Sequence, residues 1–153
     1  MKKFIAATSI FFTLGLSAFA DMWHVRSETN ILTNEKETTL VLSSEEKGGP
    51  RLIIRCIGKK LDFILGTDKF LGLSKEVSVS YRIDEKPLRN QLWSSSTNHK
   101  AAFSKRPVQM VEMLAHSSTF IVGFTPYGER TNAHSFDVSD LKNHIQHLKG
   151  CGL

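Results

Sequence analysis

Between Glu76 and Phe103 the chain alternates in a strict pattern. Val77, Val79, Tyr81 and Ile83 take every second position, with Ser78, Ser80, Arg82 and Asp84 between them. A period of two puts the first set on one face of a strand and the second set on the other. A connector containing Glu85, Pro87 and Asn90 follows, and then a short strand over Gln91–Ser96 that carries Trp93. This stretch predicts a hairpin at the centre of a small β domain.

The same reading extends in both directions. Asp21–Arg26, with Met22, Trp23 and Val25, predicts a first strand, and polar Ser27–Glu37 predicts a loop. Thr38–Ser43 is rich in β-branched residues and predicts a strand, closed by a turn over Ser44–Pro50. Arg51–Ile57 carries Leu52, Ile54 and Cys56 on one face and Arg51, Ile53, Arg55 and Ile57 on the other. Both faces are partly apolar, the pattern of a central strand covered on two sides. Gly58-Lys59-Lys60 then turns the chain into an antiparallel strand over Leu61–Leu65, and Gly66–Lys75 is a connector with Phe70, Leu71 and Leu73 as buried anchors.

Lys100–Ser104 adds a short strand, after which the period changes. Val108, Val111, Met113 and Leu114 recur at helical spacing behind Pro107, so Pro107–His116 predicts a helix. Ser118–Phe124 returns to strand with Phe120, Val122 and Phe124 on one face, and Ala133–Val138 is a last strand after a turn. Ser139 caps a final helix with Leu141, Ile145 and Leu148 at i, i+4 and i+7, stopped by Gly150. The fold class is therefore α+β: an antiparallel, β-rich single domain, sandwich-like or a curved sheet, with one short internal helix and a C-terminal helix.

The first 20 residues follow a different logic. Lys2 and Lys3 precede an uncharged apolar run over Phe4–Leu16, and Ala18-Phe19-Ala20 sets small residues at the positions a signal peptidase reads. That predicts a cleaved leader over 1–20, too short for a membrane span, with a single globular domain over 21–153. An exported product in the periplasm is the expectation. Losing Lys2 and Lys3 takes the formal charge from +5 to +3, ordinary for solubility and not a nucleic-acid footprint. Cys56 and Cys151, both in the exported part, predict one disulfide in an oxidising compartment. It would close a loop of 95 positions and contribute about 4–5 kcal/mol through chain entropy, less any strain. No Cys-x-x-Cys is present to support thiol–disulfide catalysis.

Candidate chemistry is sparse. His144 and His147 sit at i, i+3 on the last helix, with His134, Asp137 and Asp140 near in sequence, but no recurrent zinc-ligand spacing appears. Ser94 to His99 brings hydroxyls near an imidazole without a G-x-S-x-G elbow to expose a nucleophile. Arg82, joined by Arg55 from a neighbouring strand, has the donor geometry to bind an anion, while Asp84 two positions on would instead neutralise Arg82 within the sheet. A ligand or partner surface is expected on this polar face, formed by Arg55, Arg82, Asp84, Trp93 and Thr97, with Tyr127 as a loop contact. No catalytic set, metal or cofactor is expected.

Taken in order, several segments resemble a known family. They are Trp23, LIIRC at 52–56, YRID at 81–84, WSSST at 93–97, STFIVGFTPYG at 118–128, a strand with Phe136 and a helix ending at Cys151. This ordered set resembles the VasI/TagO family of exported accessory proteins associated with type VI secretion, over about residues 22–152. The resemblance implies a periplasmic protein without catalytic residues, metal or cofactor, whose partner is an envelope or secretion-apparatus protein. It also implies the Cys56–Cys151 pairing. Two other function classes fit the residues: an envelope hydrolase or metal-dependent enzyme using His134, His144 or His147, and an exported toxin inhibitor acting by surface complementarity.

Overall fold

The computed structural model describes residues 23–153. The leader expected over 1–20 lies outside the described residues, as does the start of the first expected strand. Nine antiparallel strands form one sheet: β1 (His24–Thr29), β2 (Lys36–Ser43), β3 (Arg51–Ile57), β4 (Lys60–Gly66), β5 (Glu76–Ile83), β6 (Arg89–Ser95), β7 (Ala101–Phe103), β8 (Thr119–Phe124) and β9 (Asn132–Asp137). Their spatial order is β1-β2-β3-β4-β7-β6-β5-β8-β9. Helix α1 (Pro107–Ala115) precedes β8, and α2 (Leu141–His144) runs directly into a 3₁₀ turn over Ile145–Leu148. The β-rich α+β domain expected from the residue pattern is what forms, as a single curved sheet.

Alternation sets the two faces of that sheet. Val77, Val79, Tyr81 and Ile83 of β5 are all buried, as are Leu52, Ile54 and Cys56 of β3 and Phe120, Val122 and Phe124 of β8. These inner rows enclose Met110, Val111 and Leu114 of α1, with Leu141 and Leu148 from the C-terminal segment joining the same core. Each such side chain, fully removed from water, contributes about 1.5–3 kcal/mol of transfer free energy. The sheet curls far enough for its two ends to meet. The Glu45 backbone N–H donates to the Ser135 carbonyl at 3.1 Å, and His134 Nδ1 lies 2.6 Å from Glu46 Oε2. β1 stands outside this closure, and every one of its residues is exposed.

Cys56 and Cys151 form the expected disulfide, their Cα atoms 5.9 Å apart. It ties β3 to the segment behind the 3₁₀ turn. Gly150, at φ +96°, supplies the left-handed residue that turns the chain toward Cys151.

Some expectations need correction. Ser27–Glu37 is not all loop, because β1 runs to Thr29 and β2 starts at Lys36. β3 is not covered on both faces: Ile53, Arg55 and Ile57 are only half-buried on the convex side. Of the connector anchors, Leu71 is buried, but Leu73 is 80% exposed and Phe70 38%. The final helix is one short α-turn continued as 3₁₀, and Ser139 does not cap it. Its hydroxyl donates to Asp137 instead, and Asp140 takes the position before the helix.

Candidate functional site

Antiparallel neighbours send alternate loops to the same end of a sheet. The β4–β5 loop (67–75), the β6–β7 turn (96–100) and the β8–β9 turn (125–131) share one end, and backbone hydrogen bonds lace them together. Thr67 N–H donates to the Lys100 carbonyl at 2.9 Å, Leu71 N–H to the His99 carbonyl at 2.8 Å, and Tyr127 N–H to the Phe70 carbonyl at 2.8 Å. The Lys69 ammonium adds an ion pair to Glu129 at 2.9 Å.

This lacing gathers aromatic rings from three loops. Phe70 meets both His99 and Tyr127 edge to face, each with centroids 5.8 Å apart. Tyr127 remains 74% exposed, and Leu73, on the same loop as Phe70, is exposed as well. The β6–β7 turn is held by its own side chains. Ser96 Oγ accepts the N–H groups of Lys100 and Ala101, and His99 adopts φ +55° with its Nδ1 3.2 Å from Ser95 Oγ. Thr97 is exposed on this same turn. An exposed Tyr, with an apolar body and a polar tip, is the kind of side chain that anchors protein interfaces.

The residues expected on one polar face are distributed over the molecule. Arg82 is exposed on the convex face of β5, at the edge of a groove of about 650 Å³ with Pro87, Leu88, Ile121 and Ala133 in its lining. Arg55 lies on the same face but on β3, four strand spacings away, roughly 19 Å along the sheet. It pairs with Asp62, directly opposite on β4, at 2.8 Å. The two arginines therefore do not share a ligand.

Asp84 does not neutralise Arg82 either. Its Oδ1 accepts the backbone N–H groups of Ser118 and Thr119 at 2.9 and 2.8 Å. Those two bonds, Thr119's first, hold the carboxyl below its usual range. Trp93 is fully buried on the opposite, inner face, its ring edge-on to Phe63 at 5.8 Å. Of the expected set, only Thr97 and Tyr127 come to the same end.

The three histidines considered as ligands are each engaged locally. His134 meets Glu46, and His144 Nε2 lies 2.7 Å from Asp140 Oδ2 while its ring stacks on His147. The Asp140 carboxyl is held low first by the Asn143 side chain and then by His144. Among the described residues no three His, Cys, Asp or Glu side chains are placed to hold a metal ion. Ser95 and His99 do meet, but as partners four residues apart within one tight turn, with no carboxylate bonded to the imidazole among the described residues. Nothing there orients the ring as a general base.

Sequence spacing does not mark Phe70 or Leu73 as site residues, and it brings in His99 only as the imidazole beside the Ser94–Ser96 hydroxyls. The available signal was an apolar pair, Phe70 and Leu73, in a Gly- and Asp-containing connector, which reads equally well as buried anchors. Compared with known proteins, the chain matches no family model, no curated protein and no solved structure.

Proposed function

We propose that this chain is an exported periplasmic accessory protein without catalytic activity, which works by docking onto another envelope protein. The observation that carries this reading is the exposed ring of Tyr127, held edge to face by Phe70 from a second loop that also exposes Leu73. A long-range disulfide suits an oxidising compartment, and the Lys2-to-Ala20 leader pattern suits export to it. The resemblance to the VasI/TagO family makes a type VI secretion component the partner of choice.

The test is an affinity pull-down of the tagged, exported protein from its own cell envelope, compared with Tyr127→Ala and Leu73→Ser. Recovery of secretion-apparatus components by the wild type, lost in both variants, is the expected result. Equal recovery by wild type and variants would remove the loop end from the reading. Recovery of a single toxin enzyme would replace it with the inhibitor function.

A further inference from the structure

Arg89, Gln91 and Trp93 leave β6 on the same face at alternate positions, running from the open rim of the sheet into the core. Their polarity falls in that order, and a hydrogen-bond chain links Trp93 and Gln91 to β5. The Trp93 indole N–H, a donor with no acceptor capacity, donates to Gln91 Oε1 at 3.1 Å. That fixes which way round the Gln91 amide sits. Its NH₂ group therefore faces Tyr81 and donates to the phenolic oxygen at 3.0 Å.

Tyr81 is 1% exposed, and its hydroxyl oxygen is already an acceptor. Its own proton has no acceptor among the described residues. A buried donor without a partner carries a cost, so such a proton marks a place for an acceptor.

The surroundings of this hydroxyl are one-signed. Tyr81 lines a crevice of about 210 Å³ together with Ile83, Lys86, Pro87, Arg89 and Met113. Arg89 stands directly opposite Tyr81 in the β5–β6 register. Arg106, at the start of α1, is close enough for its charge to act on the phenol, as Arg89's does; burial pushes the phenol up and the two guanidinium groups pull against it. Among the described residues no carboxylate pairs with Lys86, Arg89 or Arg106, although the neighbouring Lys105 is paired with Glu76. The nearby carboxylate of Asp84 is committed to the Ser118 and Thr119 N–H groups. The first turn of α1 holds neither an acidic residue nor a side-chain cap, and the one carboxylate of the helix, Glu112, is exposed.

We propose that this crevice is a binding site for a carboxylate on a short apolar stem. The Tyr81 hydroxyl donates to the carboxylate, Arg89 and Lys86 of the lining supply the positive charge, and Ile83, Pro87 and Met113 pack the stem. The site stands on the opposite face of β5 from Arg82 and is independent of the aromatic loop end. Two sources share this chemistry: a free small organic acid and the C-terminal carboxylate of a partner chain.

Benzoate titrated into the folded, disulfide-intact protein, followed by amide chemical shifts, tests the site, with neutral benzamide as the control. Saturable binding of benzoate but not benzamide is expected, with shifts centred on Tyr81, Arg89 and Gln91. Tyr81→Phe keeps the ring in the core and removes only the donor; it should weaken benzoate about tenfold or more, the size of a hydrogen bond to a charged group. Arg89→Gln, at the exposed rim, should weaken it without touching the core and keeps the test decisive if Tyr81→Phe folds poorly. A short peptide ending in Phe, free or amidated at its C-terminus, separates the sources. Tighter binding of the free-ended peptide than of benzoate assigns a chain terminus, and benzoate as tight as the peptide assigns a free acid. Absence of benzoate binding, equal binding of benzamide, or indifference to both substitutions overturns the site.

Discussion

Asp84 and Thr119 are joined across 35 residues by a 2.8 Å hydrogen bond from the Thr119 N–H to the Asp84 carboxylate. Asp84 sits at the exit of β5 with φ +48°, a left-handed conformation that Asp tolerates better than most residues. Its side chain closes the top of the β5–β8 pair by accepting the Ser118 and Thr119 N–H groups together. Asp84→Ala removes both acceptors and leaves a residue with no local compensation for positive φ. A loss of about 1–3 kcal/mol is expected by urea unfolding. Asp84→Asn keeps an acceptor and a tolerated backbone, so its loss should be clearly smaller.

The same pair sets a pH dependence. The folded carboxyl titrates below its unfolded value, so its contribution to stability is fully present above about pH 4, the unfolded value. It is lost as pH falls from there through the folded pKa. Unfolding midpoints measured between pH 6 and 3 should fall less steeply for Asp84→Asn than for wild type. Parallel slopes would show that the carboxylate is not the group responsible.

The Cys56–Cys151 disulfide gives a further prediction. It anchors a segment whose only regular structure is α2 and one 3₁₀ turn, too short to hold itself against the sheet. Intact mass of the protein purified without reductant should be two hydrogens below the reduced value. Replacing both cysteines with Ala should cost about 2–5 kcal/mol. Hydrogen exchange should then rise first over residues 141–151, because Leu141 and Leu148 lose their clamp. Two free thiols in that preparation would overturn the pairing.

The loop end should separate stability from recognition. Tyr127→Ala touches a ring that is 74% exposed, so its unfolding free energy should stay within about 0.5 kcal/mol of wild type. Phe70→Ala removes the ring that both His99 and Tyr127 lean on, and should cost more, about 1 kcal/mol. Comparing the two by chemical denaturation shows whether the cluster is a scaffold with an exposed tip or only a packed corner.

What could be read from the residues follows from how local each signal is. Period-two runs such as Val77 to Ile83 fix a strand and its buried face by themselves. The Pro107 start of α1 and the Gly150 stop are equally local. Strand β6 is different, because its two large apolar residues, Leu92 and Trp93, are adjacent and so face opposite ways. Nothing within RNQLWSS says which faces the core; the register with β5 decides it, burying Trp93 and leaving Leu92 53% exposed. The Arg55–Arg82 pairing failed for a related reason. Parity put both on the convex face correctly, but β7 and β6 insert between β4 and β5 in the sheet, a fact of topology that spacing does not carry. The aromatic loop end depends on three loops meeting, which also requires the strand order.

The centre of the inner face supplies the last prediction. Phe63 on β4 meets Trp93 on β6 edge to face at 5.8 Å, and meets Phe120 on β8 in the same way at 6.2 Å. Phe63 therefore bridges strands that are not sheet neighbours, across the hollow of the curve rather than along the hydrogen-bond ladder. If that contact holds the curvature, truncating either ring should cost about 3–5 kcal/mol, with the double variant costing less than the sum. Phe63→Leu and Trp93→Phe are the milder pair for a thermodynamic cycle, since each keeps much of the buried volume. Their coupling by urea denaturation should be about 0.5–1.5 kcal/mol, the worth of an edge-to-face pair beyond its buried area. Trp93→Phe also removes the donor that orients Gln91, leaving the amide free to turn over and present its oxygen to the Tyr81 hydroxyl. Additive costs for the two substitutions would place the curvature in the backbone ladder instead.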